Sequence, residues 1–242
     1  MAGKWLYNRV LLKLSGEALK GNRESGYDPE ALRAIAERLA ALLVDGVELA
    51  IVVGAGNLWR GRMGSAEMDR VTADHMGMLA TAMNALALKE AFRAVGVRAL
   101  VQCAVPLEPF APRYDRDRAL TALDSGSPVI FAGGTGNPFF TTDTASALRA
   151  LETDCDALLK ATKVDGVYSA DPFKHPEAQR FNRLSFDEAL ERRLEVMDAA
   201  AFSLCRDNGL PIVVFNFSAP GALEKILTGD TSAGTIVGTE GD

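Results

Sequence analysis

The sequence has few of the residues that build disulfide frameworks, zinc sites or histidine-based active sites. Its three cysteines, Cys103, Cys155 and Cys205, are widely spaced, odd in number and include no C-x-x-C pair. We expect them to be small buried side chains in a reducing compartment. The two histidines stand outside any nucleophile–acid set. We expect His75 on a helix surface and His175 in a solvated loop.

Long hydrophobic runs are missing, and so is an excess of positive charge. No apolar run reaches the ~18 residues that a membrane span needs, and no apolar N-terminal segment resembles a secretory signal. We therefore expect a cytoplasmic protein with no membrane partner. The formal net charge is −6, whereas a general nucleic-acid binder is usually basic. We expect no nucleic-acid substrate, although a cleft can still concentrate positive charge for a small anion.

Aromatic residues are also scarce, at 7%, whereas glycine is abundant, with 22 residues. This balance fits a turn-rich α/β protein better than a β-sandwich. The 242 residues, 48% of them apolar, can bury one sizeable core. Because no linker, repeat or low-complexity tract interrupts the chain, we expect a single domain over residues 1–242.

Short apolar runs alternate with amphipathic segments, which predicts strands separated by helices. The predicted strands are Arg9–Leu14, Glu48–Val53, Arg98–Cys103, Pro128–Ala132, Asp156–Ala161, Pro211–Asn216 and Gly234–Gly238. The predicted helices start after Asp28, cover Thr72–Val95 and Thr142–Leu151, start at the Ser185–Glu188 capping box, cover Val196–Asn208 and start again at Pro220. Buried strands in this arrangement predict a mostly parallel sheet with helices on both faces.

Two short glycine turns follow predicted strands, where ligands of open α/β sheets bind. Lys13–Gly16 can hold an anion with backbone N–H groups and a lysine, although alone it fits an ordinary strand end better. Gly54–Asn57 leads to Arg60 and suits a phosphate clamp about as well as a plain strand-to-helix turn. It is not a dinucleotide-binding fingerprint, because Trp59 stands where G-x-G-x-x-G needs its third glycine.

Two longer polar segments also follow predicted strands. Gly133–Asp143 combines glycines, hydroxyls, an amide and two aromatic rings, a set that can bind a flat polar base and a ribose. Lys160–Pro172 carries two lysines, two acids and a tyrosine. A charge cluster of this kind is usually a solvated surface, but its place on the same sheet edge favours a nucleotide contact.

These segments, in this order, resemble the bacterial uridylate kinase family of the amino acid kinase superfamily. The resemblance covers nearly the whole chain. It is carried by LLKLSGEAL (Leu11–Leu19), GAGNLWRG (Gly54–Gly61), DHMGMLAT (Asp74–Thr81), GTGNPFFTTD (Gly134–Asp143), LKATKVDGVYSADP (Leu159–Pro172) and VMDAAAF (Val196–Phe202). It implies a three-layer αβα sandwich around a central, mostly parallel twisted sheet.

The implied reaction is ATP + UMP giving ADP + UDP, with Mg²⁺, in pyrimidine nucleotide synthesis. The family is typically a homohexamer that GTP activates and UTP inhibits. The resemblance assigns to ATP the residues Lys13, Leu14, Ser15, Gly16, Gly56, Arg60, Thr162, Tyr168 and Asp171. It assigns to UMP the residues Ala55, Asp74, Thr135, Gly136, Asn137, Pro138, Phe139, Phe140, Thr141 and Thr142. UMP-binding features thus fall mainly in residues 1–153, and ATP-binding features mainly in residues 154–242.

The chain departs from the family at two places. The family commonly has three successive glycines where this chain has Gly54-Ala55-Gly56, so the Ala55 methyl group needs negative φ or free space. The loop Gly21–Tyr27, in the stretch that the family links to GTP activation, lacks the usual Gly-Phe-Gly-like ending.

The acceptor of this reaction is a phosphate, which is anionic near pH 7 and needs no general base. Catalysis then depends on positioning and charge neutralisation. We assign Lys13 and Mg²⁺ to the transferring group, Arg60 to the acceptor phosphate and Lys160 to the transition state. Asp143 and Asp198 either orient lysines or magnesium, or are ordinary helix-start acids. We assign no protein ligand to the metal.

Three alternatives stay open at this point. Another superfamily member would act on acetylglutamate, glutamate, aspartate, carbamate or isopentenyl phosphate. A non-catalytic nucleotide- or anion-binding homologue would share the fold, although Lys13 and Arg60 are both present. The broken fingerprint at Trp59 opposes an NAD-dependent dehydrogenase.

Overall fold

The computed structural model of the chain describes residues 5–59 and 68–239. Its strands are β1 Arg9–Leu14, β2 Glu48–Val53, β3 Leu100–Cys103, β4 Val129–Ala132, β5 Ala157–Thr162, β6 Arg183–Ser185, β7 Ile212–Asn216 and β8 Gly234–Gly238. Its α-helices are α1 Pro29–Val44, α2 Arg70–Ala94, α3 Arg116–Asp124, α4 Thr142–Glu152, α5 Phe186–Glu191, α6 Ala199–Asp207 and α7 Ala222–Leu227.

The eight strands form one sheet in the order β3-β4-β2-β1-β5-β7-β8-β6. All neighbouring pairs run parallel except β7 and β8, which are antiparallel. The carboxyl ends of β4, β2, β1 and β5 therefore lie side by side at one edge of the sheet. This is the edge where the glycine turns and the lysines were predicted to meet.

Hydrophobic side chains cover both faces of the sheet. One core cluster joins alternate strand residues such as Leu12 to helices α1, α2 and α7. The other joins residues of the opposite face, such as Leu11, to helices α3, α4, α5 and α6. Because side chains of a strand alternate between the two faces of the sheet, β1 and β5 contribute residues to both clusters. The predicted three-layer αβα sandwich is confirmed.

Most predicted elements are present, but some bounds were wrong. The helix predicted from Val196 begins only at Ala199, because the Asp198 carboxylate accepts a hydrogen bond from the Ala201 N–H and caps the first turn. Helix α3 was missed because its nine residues have few apolar positions, although Asp115 caps it. Strand β6 was missed because three residues show no clear alternation.

The cysteines and histidines lie where the sequence predicted. Cys103, Cys155 and Cys205 are free and buried, and burial raises the pKa of Cys155 and of Cys205 to about 12. His75 is exposed on α2 and His175 is exposed near Glu177. Within the described ranges, no helix is both long enough and apolar enough to span a bilayer.

The buried aromatic residue Phe215 on β7 provides a test of the core. Its side chain is fully buried, so we expect Phe215→Ala to lower the free energy of unfolding by about 3–5 kcal/mol. Phe173→Ala is the control, because Phe173 is 79% exposed. Urea unfolding measures the free energy of unfolding of both variants. If Phe215→Ala is as stable as Phe173→Ala, the Phe215 side chain is not part of the buried core.

Candidate active site

Two lysines lie side by side at the tips of neighbouring strands. Lys13 on β1 is in register with Lys160 on β5. Each lies two residues beyond a leucine of the cluster that packs against α4, namely Leu11 and Leu158. Side chains two apart on a strand share a face, so both ammonium groups project toward the start of α4.

The carboxylate of Asp143, in the first turn of α4, lies between these ammonium groups. Its Oδ1 is 2.7 Å from Lys13 Nζ and its Oδ2 is 2.8 Å from Lys160 Nζ. Burial by itself would raise the pKa of Asp143, but the two lysines outweigh it and hold the pKa below its ordinary value of 3.8. The three side chains together carry one net positive charge beside the glycine turns.

A second set of contacts fixes the start of α4. Thr141 is its N-cap residue, and the hydroxyls of Thr141 and Thr144 both donate to the Asp198 carboxylate. Lys160 Nζ also donates to the Val196 carbonyl oxygen at 2.6 Å. Asp198 is thus a helix-capping acid that joins α4 to α6, and its described contacts include no lysine.

The turns after β1 and β2 touch each other. A Cβ atom built on Gly16 would lie 2.5 Å from Asn57 Oδ1 and 2.8 Å from the Gly56 nitrogen, and closer still to the Gly54 carbonyl oxygen. Such distances leave no room for a side chain, so position 16 requires glycine for this close approach. Ala55 is accommodated without strain, since it is not among the non-glycine residues with positive φ.

A small cavity of about 160 Å³ opens beside the turn after β2. Seven of the ten residues predicted to bind UMP line it: Ala55, Asp74, Thr135, Asn137, Phe140, Thr141 and Thr142. Gly136, Pro138 and Phe139 lie in the same loop but outside this lining. The Asp74 carboxylate accepts a 2.8 Å hydrogen bond from the Phe139 N–H and pairs with Arg70. Helix α2 is thereby connected to the loop after β4.

A larger cavity of about 640 Å³ opens on the other side of the β1 turn. Leu14 and Ser15 line one part of it, and Thr162 lines another. Tyr168 and Asp171 lie outside its lining, in the loop after β5. There the Tyr168 hydroxyl donates to Asp165 at 2.6 Å, and Asp171 accepts from the Phe173 N–H at 3.0 Å.

Sequence reasoning missed several residues of the two cavities, and one predicted residue lies outside the structure's range. Arg38 lines the larger cavity, and its guanidinium lies 4.8 Å from the centre of the Phe217 ring. Spacing along α1 could have indicated it, because Ala31, Ala34, Ile35 and Arg38 form one face of that helix. Trp59 lines the smaller cavity. Arg60 lies outside the described residues.

The described residues hold no group of three or more histidine, cysteine or acidic side chains placed to bind a metal ion. Both oxygens of Asp143, the acid nearest the lysines, are already engaged. In this structure the Asp143 carboxylate is thus an ion-pair partner of the two lysines.

Comparison with known proteins identifies the family. The amino acid kinase family model matches residues 8–216. Uridylate kinases of Legionella pneumophila (strain Paris) and Pseudomonas paraeruginosa are 52% and 53% identical to the chain, over 99% and 96% of it and 97% and 94% of their own lengths. This chain belongs to the uridylate kinases of the amino acid kinase family. It is accordingly an enzyme of the nucleoside monophosphate kinase class.

Solved structures of this family share its fold over nearly the whole chain. The crystal structure of the UMP kinase from Bacillus anthracis aligns with a TM-score of 0.93 at 38% identity, covering 97% of each chain. That of the UMP kinase from Ureaplasma parvum aligns with a TM-score of 0.90 at 36% identity, covering 96% of this chain and 99% of that one. The αβα architecture is therefore that of the uridylate kinase family.

The lowered pKa of Asp143 predicts how stability depends on pH. Because its pKa is lower in the folded than in the unfolded chain, the carboxylate stabilises the fold above the unfolded value of about 4. This stabilisation is lost as pH falls through the folded value. We expect Asp143→Asn to cost about 3 kcal/mol at pH 7, with the difference from wild type shrinking below about pH 4.

Denaturant titrations between pH 7 and pH 3 measure that difference. Glu191→Gln is the control, because Glu191 is exposed and has no ion-pair partner among the described residues. A stability difference between wild type and Asp143→Asn that stays constant down to pH 3 would contradict the ion-paired carboxylate.

Proposed function

We propose that this enzyme transfers the γ-phosphoryl group of ATP to the phosphate of UMP, giving ADP and UDP. The observation that carries the proposal is the Lys13–Asp143–Lys160 cluster at the strand edge between two cavities. Relatives that match at 52–53% identity are named uridylate kinases, which supports UMP as the acceptor. The product places the enzyme in pyrimidine nucleotide synthesis.

The acceptor nucleotide occupies the smaller cavity. Polar groups of Thr135, Asn137 and Thr142 and the ring of Phe140 line it, which suits a base that is both flat and rich in hydrogen-bonding groups. The Asp74 carboxylate binds the ribose, although it also accepts a hydrogen bond from the Phe139 N–H and pairs with Arg70. Gly136, Pro138 and Phe139 complete the loop around the base.

ATP occupies the larger cavity, whose 640 Å³ lies within the usual range for small-molecule sites. Its phosphates lie along Lys13, Leu14, Ser15 and Gly16, with Gly56 beside them. Its nucleoside end extends toward Thr162 and the loop that carries Tyr168 and Asp171. Residues 1–153 then hold mainly UMP and residues 154–242 mainly ATP, with the β1 turn between the two.

Catalysis on this arrangement needs no general base, since the attacking oxygen belongs to an anionic phosphate. The two lysines reduce the repulsion between the nucleotides and stabilise negative charge on the transferring group. Asp143 keeps both ammonium groups in place without solvent reorganisation during the reaction. Arg60 holds the acceptor phosphate.

Mg²⁺ enters as part of the Mg·ATP substrate and supplies further charge neutralisation at the phosphates. The assembly we propose is the homohexamer typical of the family, with GTP as activator and UTP as inhibitor. The altered loop Gly21–Tyr27 is the place where the response to GTP is expected to differ from that of relatives.

Measuring ADP release with UMP, CMP, dUMP or no acceptor tests this function. We expect turnover with UMP well above the other conditions, and assays with and without GTP reveal regulation. Acetylglutamate, aspartate and carbamate serve as control acceptors for other amino acid kinases. Turnover with one of these but not with UMP would overturn the proposal.

Replacing Lys13 tests its catalytic role. We expect Lys13→Ala to lower kcat by about 100-fold or more, as the loss of one preorganised charge at a developing anion commonly does. The KM for UMP should change far less, because in this proposal Lys13 acts on the transferring phosphoryl group and not on bound UMP. Lys225→Ala, on the exposed surface of α7, is the matched control, and a near-normal kcat for Lys13→Ala would remove Lys13 from the chemistry.

A further inference from the structure

Two asparagine side chains form a buried pair beneath the glycine turn after β2. Asn84 on α2 is fully buried and Asn57 is 3% exposed. Asn84 Nδ2 donates to Asn57 Oδ1 at 2.8 Å, and Asn57 Nδ2 donates back to Asn84 Oδ1 at 3.1 Å. The remaining N–H of each amide reaches a backbone carbonyl. These contacts satisfy both amides without water.

The carbonyl partners fix which way each amide faces. Asn84 Nδ2 donates to the Gly54 carbonyl oxygen at 2.7 Å, and Asn57 Nδ2 donates to that of Gly26 at 3.0 Å. A carbonyl oxygen only accepts hydrogen bonds, so the NH₂ group of each amide must face it. Neither side chain can flip without placing two oxygens against each other in a buried site.

This contact sets the orientation of the peptide between Gly54 and Ala55. The peptide is trans, and in a trans peptide the C=O and N–H point in opposite directions. With the Gly54 carbonyl held inward by Asn84, the Ala55 N–H points outward, and Ala55 lines the smaller cavity. Within residues 5–59 and 68–239, that N–H has no hydrogen-bond acceptor.

We propose that Asn84 is a positioning residue that turns the Ala55 N–H toward the acceptor phosphate. The proposal rests on the proposed function, in which that cavity holds a nucleoside monophosphate. An outward N–H can donate a charge-assisted hydrogen bond to a phosphate oxygen. With the peptide reversed, the carbonyl oxygen would face the phosphate and repel it.

Asn84→Asp is the sharpest test, because it replaces the donor NH₂ with an oxygen of the same size. The carboxylate repels the Gly54 carbonyl and attracts the Ala55 N–H, which favours the reversed peptide. We expect kcat/KM for UMP to fall about 10- to 100-fold, the usual range for a hydrogen bond to a charged group. The loss should appear mainly in the KM for UMP, with the KM for Mg·ATP unchanged within about twofold.

Gln102→Glu is the matched control. Gln102 on β3 is also fully buried, and its amide donates to the Asp115 carbonyl oxygen at 3.1 Å. Replacing the Gln102 amide with a carboxyl group buries an acid as Asn84→Asp does, but it leaves the glycine turn after β2 unchanged. We expect its KM for UMP to stay at the wild-type value. Equal losses in Asn84→Asp and Gln102→Glu would overturn the proposal.

A second variant and a structure keep the test decisive. If Asn84→Asp does not fold, Asn84→Ala removes the donor without adding charge, and we expect about a 3- to 10-fold higher KM for UMP, as for a lost neutral hydrogen bond. An unchanged KM would overturn the proposal.

A crystal structure of whichever Asn84 variant folds should show the Gly54–Ala55 peptide reversed. An unchanged peptide together with a raised KM would also overturn the proposal. Failure of the proposed function would instead appear as a wild-type enzyme inactive with UMP.

Discussion

The active-site edge depends on one carboxylate placed between two ammonium groups. Lys13 and Lys160 are held next to each other by the register of β1 and β5, and their like charges repel each other at close range. Asp143 offsets this repulsion because helix α4 begins directly above the strand tips. One net positive charge remains at the strand edge, beside the glycine turns.

The fold makes this arrangement possible because four parallel strands end at the same edge. The turns after β1 and β2 pack backbone against backbone, and the loop after β4 leads directly into α4. Asp198 then joins α4 to α6 through Thr141 and Thr144. The lysines, the glycine turns and the loop around the smaller cavity are therefore connected to one another through the sheet edge and α4.

Much of this could be predicted from sequence, and the reasons for the exceptions are physical. Strands with near-continuous apolar runs and helices with caps at Asp28 or Ser185 were found because their signals are local. Helix α3 lacks a strong apolar stripe. For Asp198 the sequence left a ligand-orienting role and a helix-start role open, and only the folded chain shows that it is the N-cap of α6. The Asn57–Asn84 pair joins residues 27 positions apart, so no spacing rule points to it. The sequence left open whether Asp143 orients lysines or only starts a helix, because its contact with Lys13 and Lys160 depends on strand register, which only the folded chain reveals.

The contact between Gly16 and the Gly54–Gly56 turn also limits how this enzyme can change. Since a side chain at position 16 would collide with the Gly54 carbonyl oxygen and the Gly56 nitrogen, a mutation of Gly16 would need a compensating shift of the facing turn, which is a slow evolutionary route. The outer part of the β4 loop, around Thr135 and Phe140, lies away from that junction. Laboratory selection for a new acceptor base should therefore accumulate its successful changes in that outer part and leave the turn junction untouched.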